Sequence, residues 1–306
     1  MSVAIHIGIA KTGSTWFQTR YFPRLPDYHF THGDDVLRSL IRDLIREPEG
    51  RFAEDTLDAH ASRLKERAEP NVLISDEALS GYLFDGGAHR DRIVERLSRA
   101  FPDARILAFV REQGGMLRSL YLQYVANGGH RSFSDFCLAD DVEGCASPLS
   151  FVTYDGLVEA YRTAFGAEKV KVLPYERFRA EPQAFLSEVC EFLGVAEHAV
   201  PAVDASETTN VALSPLSREL LRPVNRWFRR SEFNTRPAVS NAGLAQVARP
   251  VLQATFDRRV FARSGRKLRS GDEALISELR PRFAHSNAVL QTMVDHPLGP
   301  YGYVLA

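Results

Sequence analysis

The residues best suited to chemistry are the nine from Gly8 to Trp16, GIAKTGSTW, which follow a short apolar run and lead into a helical pattern. A loop between a buried strand and a helix N-terminus directs backbone N–H groups and the positive end of the helix dipole at one small volume. Lys11 adds a full positive charge, and Gly13 permits positive φ and a close backbone approach. Ser14 and Thr15 add two hydroxyl donors. The loop therefore predicts a site for phosphate or sulfate.

The order of these residues differs from that of the Walker A loop, G-x-x-x-x-G-K-[ST], in which lysine follows the second glycine. Here Lys11 precedes Gly13, and two hydroxyl residues and a tryptophan follow. This order resembles the 5′-phosphosulfate loop of sulfotransferases that use 3′-phosphoadenosine 5′-phosphosulfate (PAPS). The resemblance implies donor contacts from Lys11, Thr12, Gly13, Ser14, Thr15 and Trp16. Trp16 matches the position whose ring packs on the adenine, and the alternative is a core tryptophan on the first helix.

A second strand-like run, Arg105 to Val110, is followed by Arg111 and by a helical segment that carries Ser119. In the sulfotransferases that the first loop resembles, this strand ends in an arginine, and a serine lies eight positions further on. Arg111 and Ser119 have that spacing. An arginine at a strand end and a serine in the next helix can converge on one phosphate. The resemblance implies that this pair binds the 3′-phosphate, and the alternative is that both side chains face solvent.

A third similarity lies in the block from Val170 to Val195, VKVLPYERFRAEPQAFLSEVCEFLGV. It resembles the family's strand with a Tyr-Glu pair, followed by a helix that Glu-Pro opens and Phe-Leu-Gly closes. In that family the tyrosine lies beside the adenine, so the resemblance implies a cofactor contact from Tyr175. The residues themselves also indicate the helix, because Pro182 suits a first helical position and Gly194 suits a C-terminal stop.

A candidate base follows a middle strand-like run, Val72 to Ser75, which leads into Asp76 and Glu77. Similar heparan and bacterial carbohydrate sulfotransferases carry a glutamate just after this strand that takes the proton from the acceptor hydroxyl. The resemblance therefore implies that Glu77 is the catalytic base. A free glutamate has a pKa of about 4.3, so it needs burial or a nearby carboxylate to become a stronger base. In the alternatives, Asp76 and Glu77 cap the following turn, or His89 or His130 is the base.

The chain alternates strand-like runs with amphipathic helical patterns, which predicts a parallel sheet with helices on both faces. The strand-like runs lie at 3–9, 71–75, 105–110 and 170–175. Together with the first loop, they predict an α/β, P-loop-like three-layer fold with a central parallel sheet flanked by helices. Ligands collect at the C-terminal ends of strands in such folds, and Lys11, Glu77, Arg111 and Tyr175 all lie at such ends.

Beyond about residue 205 the pattern consists of helical segments without a clear strand. We therefore expect a PAPS-binding core at 1–204 and a C-terminal helical region at 205–306 that packs on the same domain.

Charge and cysteine content limit the classes of partner. The 306 residues include 38 Lys plus Arg and 39 Asp plus Glu, for a net charge of −1. This balance gives no overall attraction to nucleic acid or to an anionic membrane. Three cysteines form neither a disulfide framework nor a zinc-binding spacing, which fits a reducing compartment. Because no apolar run reaches the roughly 18 residues of a transmembrane helix, we expect a soluble, cytoplasmic protein without membrane insertion.

The resemblance to sulfotransferases implies an enzyme that transfers a sulfuryl group from PAPS to a hydroxyl or amine of a small-molecule or glycan acceptor and releases 3′-phosphoadenosine 5′-phosphate (PAP). The resemblance implies no metal and in-line transfer with Lys11 and Glu77 as catalytic residues. Two alternatives come from other classes. One is a P-loop kinase relative that uses ATP and Mg²⁺, against which the position of Lys11 argues. The other is a nucleotide-binding relative without catalytic activity.

Overall fold

The computed structural model describes residues 2–31, 33–46, 54–66, 71–83, 86–87, 89–138, 141–142, 145–196, 215–235, 237, 239 and 262–306. In these ranges the strands are β1 (Val3–His6), β2 (Tyr28–Phe30), β3 (Asn71–Ser75), β4 (Arg105–Val110), β5 (Asp141–Val142), β6 (Cys145–Ala146) and β7 (Val170–Pro174). Five of them form one parallel sheet in the order β2-β3-β1-β4-β7, while β5 and β6 pair as a short antiparallel hairpin.

Strand β1 lies at the centre of the sheet. Ile5 is in register with Ile74 of β3 on one side and with Ile106 of β4 on the other. Since all three strands are parallel, the segments that follow them leave the sheet side by side at one edge. This edge is where the sequence places the candidate site.

The helices in the described ranges are α1 (Ser14–Trp16), α2 (Asp35–Arg46), α3 (Glu54–Glu66), α4 (Arg90–Ala100), α5 (Gln113–Ala126), α6 (Phe133–Leu138), α7 (Pro148–Phe151), α8 (Asp155–Phe165), α9 (Tyr175–Ala180), α10 (Pro182–Leu193), α11 (Pro215–Phe228), α12 (Ala262–Leu279) and α13 (Ala284–Gln291). Helix α1 continues as a π-helical turn, Phe17–Tyr21, and a 3₁₀ turn, Phe22–Arg24. A further 3₁₀ turn, Arg280–Phe283, joins α12 to α13.

Two apolar cores lie on opposite faces of the sheet, because successive strand residues point to opposite sides. Alternate strand residues such as Ala4 and Leu107 pack with aromatic residues of the first helical segment and of α9 and α10. The residues between them, such as Ile5 and Ile106, pack against α2, α3, α4, α5 and α8. This is the predicted three-layer arrangement of helices around a parallel sheet.

The C-terminal helices pack on the same body. Helix α11 contacts α5 and α12, and α12 also contacts α5 and α6. The predicted boundary at residues 204 and 205 lies outside the described residues, so the division of the chain stays a prediction. In the described ranges, no helix combines the length and the apolar character needed to cross a membrane.

Most of the elements predicted from periodicity are present, with shifts at their ends. The run at 3–9 is a strand only to His6, and Tyr175 begins a helix instead of ending a strand. The edge strand β2 was not predicted, since three residues are too few to show an alternating pattern. Gly194 ends α10 with a φ of +72°, as the sequence predicted.

Candidate active site

The loop after β1 contains two backbone positions with positive φ. Lys11 has a φ of +67° and Gly13 a φ of +84°. The carbonyl of Gly13 accepts hydrogen bonds from the N–H groups of Trp16 at 2.8 Å and Phe17 at 3.1 Å. The turn therefore passes directly into the first helical segment, and the N–H groups that precede this helix are in the position that favours an anion.

The hydroxyls of the loop have different environments. Thr12 is buried, and its Oγ1 donates to the carbonyl of Ile9 at 2.6 Å. Ser14 is buried as well and makes a longer contact of 3.4 Å to the same carbonyl. Thr15 is exposed. Thr12 thus closes the loop on itself, while Thr15 has a hydroxyl at the surface.

Arg111 follows β4 and reaches back to the first loop. Its Nη1 donates to the carbonyl of Lys11 at 2.8 Å. A guanidinium carries five N–H donors in a planar fork, so this bond leaves others for a ligand. The same guanidinium lies over the ring of Tyr175, with Cζ 5.4 Å from the ring centroid. Arg111 is half-buried, which reduces the screening of its charge by water.

Tyr175 follows β7 and lies against the first loop. A Cβ atom added to Gly13 would come within 3.0 Å of Cε2 of Tyr175. Glycine is therefore needed at position 13 for two reasons, the positive φ and the close approach of this ring. The structure brings Lys11, Gly13, Arg111 and Tyr175 together from the ends of three different strands.

Ser119 lies one helical turn after Gly115, the residue of α5 that approaches the Arg111 guanidinium. A Cβ atom added to Gly115 would lie 3.5 Å from Nε of Arg111. Ser119 follows Gly115 by one helical turn, and residues four apart share a helix face. Ser119 is half-buried. Its predicted role beside Arg111 is compatible with this placement.

Trp16 is part of the aromatic core on one face of the sheet. It is 5% exposed, and its ring is stacked on Tyr21 with centroids 6.2 Å apart. Phe178 lies on it at a centroid distance of 4.9 Å. Nε1 is buried and has no hydrogen-bond partner among the described residues. In this structure Trp16 is placed as the core tryptophan of the alternative interpretation, and its stacking on adenine stays a prediction.

Asp76 and Glu77 follow β3 at the same edge of the sheet. The Asp76 N–H donates to the carbonyl of His6 at 3.4 Å, which joins this segment to the end of β1. Oδ1 of Asp76 accepts from the N–H of Ala78 at 2.8 Å and caps a 3₁₀ turn, Glu77–Ser80. Glu77 is exposed. The capping role thus belongs to Asp76, and the carboxylate of Glu77 is accessible to an acceptor.

The two histidines named as alternative bases lie in different places. His89 is exposed and precedes α4 with a φ of +70°. The N–H of His130 contacts the hydroxyl of Tyr124 at 3.3 Å, in the last turns of α5, which separates it from Arg111 by most of that helix. Burial and three neighbouring arginines lower the pKa of His130. His130 is therefore a weaker base than a free histidine, and most of α5 separates it from the end of β4.

His6 of β1 is fully buried. Its Nδ1 lies 2.8 Å from Oγ of Ser75, and burial lowers its pKa to about 3. A histidine in this environment is neutral at physiological pH. The geometry of His6 therefore fits a structural role in the core.

Sequence reasoning missed two acidic residues behind the site, the buried Glu112 and the half-buried Glu176. Glu112 caps α5 and accepts from the N–H groups of Gly114 at 2.9 Å and Gly115 at 2.7 Å. Glu176 accepts from the Glu112 N–H at 2.9 Å. A signal for Glu176 was present, because it is the second residue of the Tyr-Glu pair, but its partner is distant in the sequence.

The described ranges contain no group of three or more His, Cys, Asp or Glu side chains placed to hold a metal ion. What the site does contain is one lysine, one arginine and one tyrosine around a tight loop at the C-terminal edge of a parallel sheet. The fold and this arrangement define an α/β protein with a P-loop-like fold.

The sequence model of the Sulfotransferase family matches residues 6–199, so the chain belongs to the sulfotransferase family. Similar solved structures include a sulfotransferase from Alicyclobacillus acidocaldarius, at 26% identity and a TM-score of 0.49, covering 74% of this chain and 93% of that chain. The sulfotransferase domain of the Synechococcus PCC 7002 olefin synthase is 14% identical, with a TM-score of 0.43 and coverage of 84% and 95%. Mouse sulfotransferase SULT7A1 complexed with PAP is 12% identical, with a TM-score of 0.40 and coverage of 88% of each chain. No curated protein matches the sequence.

The match of the family model confirms the family predicted from the sequence. The parallel sheet with helices on both faces confirms the predicted fold class. The protein is a sulfotransferase by family, and its transferase chemistry follows from that membership. The cytoplasmic location stays a prediction.

Proposed function

We propose that this protein transfers a sulfuryl group from PAPS to a hydroxyl or amine of a small-molecule or glycan acceptor. The observation that carries the proposal is the contact of three strand ends around one loop. Arg111 bonds the carbonyl of Lys11, and Tyr175 lies against both Gly13 and Arg111. One cation lies on the loop and the other beside it, which suits a nucleotide with two separate anionic groups.

In this proposal the two cations bind different ends of the donor. The segment from Lys11 to Trp16 binds the 5′-phosphosulfate, with backbone N–H groups and the lysine charge as donors. Arg111 and Ser119 bind the 3′-phosphate. Tyr175 contacts the adenine, and its ring already carries the Arg111 guanidinium on one side. The close packing of Gly13 against this ring fixes the distance between the two parts of the site.

PAPS supplies the sulfuryl group when it is bound. Glu77 accepts the proton of the acceptor as the acceptor oxygen or nitrogen forms its bond to sulfur, in line with the S–O bond that breaks. Lys11 stabilises the negative charge that develops on the leaving phosphate. As in phosphoryl transfer, the protein contributes mainly position and charge. A positioned general base typically contributes roughly 10² to 10⁴-fold in rate.

The test is binding of PAP, followed by transfer of labelled sulfate from PAPS. We expect PAP without magnesium to raise the melting temperature of the protein and to bind in calorimetry. Arg111→Ala should weaken this binding at least tenfold, and Arg99→Ala, at an exposed position on α4, serves as a control that should not. A failure of PAP to bind the folded wild-type protein would refute the proposal, and stabilisation by ATP with magnesium instead would favour the kinase alternative.

A further inference from the structure

The peptide bond between Arg111 and Glu112 has both of its polar groups engaged by side chains, one from the buried Tyr154 and one from the half-buried Glu176. The carbonyl of Arg111 accepts a hydrogen bond from the hydroxyl of Tyr154 at 2.8 Å. The N–H of Glu112 donates to Oε1 of Glu176 at 2.9 Å. These two side chains come from different parts of the chain, Tyr154 from the residue before α8 and Glu176 from α9. The peptide is therefore held from two opposite directions.

Both hydrogen bonds are partly shielded from water, which makes them costly to lose. Tyr154 is fully buried, and burial raises the pKa of its hydroxyl. Burial also raises the pKa of Glu176, and its Oε2 has no hydrogen-bond partner among the described residues. In such surroundings an amide left without its partner is not compensated by water. The two bonds thus fix the orientation of the peptide.

The orientation of this peptide determines where the Arg111 side chain begins. The Arg111 side chain extends from the end of β4 to the loop after β1. There its guanidinium donates to the Lys11 carbonyl and lies over the ring of Tyr175. The long arginine side chain loses rotamer entropy when it is held in one place, so a fixed backbone reduces the number of positions it samples. Precise placement of such groups depends on the residues that support them.

We propose that Glu176 and Tyr154 are positioning residues for Arg111, and that they hold its guanidinium where it binds the 3′-phosphate of the donor. This inference rests on the proposed function, since it assigns the 3′-phosphate to Arg111. Neither residue touches the nucleotide. They act through the Arg111–Glu112 peptide.

The groups that face Glu176 come from three further elements. Arg111 and Glu112 lie at the corner between β4 and α5, and their charges influence its pKa in opposite directions. Tyr154 precedes α8, and Tyr303 lies near the C-terminus with its hydroxyl buried and without a hydrogen-bond partner among the described residues. Burial, and after it the charge of Glu176, raises the pKa of both tyrosine hydroxyls. The positioning contact itself needs only an acceptor oxygen at Oε1, which a glutamine also provides.

The experiment compares the affinities of the full-length protein for PAP and for adenosine 5′-monophosphate, which lacks the 3′-phosphate. The dissociation constant for adenosine 5′-monophosphate divided by that for PAP reports the 3′-phosphate contact. We expect Glu176→Ala and Tyr154→Phe each to reduce this ratio about tenfold, and Glu176→Gln to restore it to within about threefold of wild type. Tyr154→Phe removes a single oxygen and carries the same expectation if Glu176→Ala does not fold.

Two further variants separate positioning from a general loss of stability. Tyr161→Phe is a matched control, because Tyr161 is a fully buried tyrosine whose hydroxyl donates to the carbonyl of Leu79 at 2.8 Å, away from Arg111. It should leave the ratio unchanged. In the Arg111→Ala background, Glu176→Ala should reduce the ratio no further, because both changes act through one guanidinium.

The outcomes are distinct. If wild type binds PAP no better than adenosine 5′-monophosphate, the assignment of the 3′-phosphate to Arg111 fails. If wild type discriminates and Arg111→Ala does not, yet Glu176→Ala and Tyr154→Phe keep the wild-type ratio, the positioning role is wrong. An additive effect of Glu176→Ala in the Arg111→Ala background would also overturn it.

Discussion

Nη1 of Arg111 donates a hydrogen bond to the carbonyl of Lys11 at 2.8 Å, between residues 100 positions apart in the chain. The bond is possible because β1 and β4 are adjacent parallel strands, so the segments that follow them begin side by side. It joins the loop proposed to bind the 5′-phosphosulfate to the arginine proposed to bind the 3′-phosphate. A change at either residue should therefore affect both ends of the donor.

Lys11 combines a charge proposed to act in sulfuryl transfer with a backbone in the left-handed region. Its φ of +67° is in the left-handed region, which costs a residue with a Cβ atom about 1 kcal/mol. We expect Lys11→Gly and Lys11→Ala to lower sulfate transfer by roughly 10²-fold or more, because the charge on the leaving phosphate is no longer stabilised. Chemical unfolding should show Lys11→Gly to be more stable than Lys11→Ala by about 1 kcal/mol. Equal stability would argue against strain at this position, and unchanged transfer would argue against the role of the charge.

Gly13 and Gly33 form a matched pair for testing the contact with Tyr175. Both have a φ near +84° (+84° and +83°), but a Cβ atom at Gly13 would lie 3.0 Å from the Tyr175 ring, whereas at Gly33 it would meet nothing within 4 Å. We expect each alanine variant to lose roughly 1 to 2 kcal/mol of unfolding free energy from the backbone term. Gly13→Ala should also weaken PAP binding at least tenfold, and Gly33→Ala should not. Calorimetry on both variants checks this, and equal PAP affinities would contradict the proposed geometry.

Substitutions at Asp76 and Glu77 should have different effects, on stability for Asp76 and on catalysis for Glu77. Asp76 caps the turn that carries Glu77, so Asp76→Ala should lower the unfolding free energy by about 1 kcal/mol. Glu77→Gln removes the proposed base without removing the cap, so we expect at least a hundredfold fall in turnover at unchanged PAP affinity. The measurement is the rate of labelled sulfate transfer at saturating PAPS. Full activity of Glu77→Gln would show that Glu77 is not the base, and His89 would be the next residue to test.

His6 should make the fold sensitive to acid. Its pKa of about 3 in the folded protein lies below the value of about 6.5 expected in the unfolded chain, so the unfolded state binds more protons between these values. Stability from His6 is therefore fully present above about pH 6.5 and is lost as the pH falls towards 3. The loss from this group is about 1.4 kcal/mol for each pH unit within that window.

The check is urea unfolding of wild type and His6→Gln at several pH values from 7.5 to 4. The variant should start less stable at neutral pH, and its stability should fall less steeply as the pH decreases. Parallel profiles for the two proteins would show that His6 does not titrate in this way.

The fold and the three motifs could be predicted because their signals are local or periodic. The apolar run before Gly8, the helix stop at Gly194 and the amphipathic pattern of α2 each depend on neighbours within a few turns. The position of the candidate residues at strand ends follows from chain order and from the rule that parallel strands share an edge. The placement of Trp16 in the aromatic core did not follow, since it depends on Phe178 and Tyr21 packing from two segments.

By itself, the sequence determined the chemistry available at the sheet edge: a lysine and a glycine in a tight loop, an arginine after β4 and a tyrosine after β7. Residue types and short spacings carry that information directly. Only the tertiary structure decided that Arg111 bonds the Lys11 carbonyl and that Tyr154 and Glu176 hold the peptide behind it. These contacts join residues far apart in the chain, and a hydrogen bond of 2.8 to 2.9 Å depends on how the layers pack. No local pattern along the chain encodes that packing.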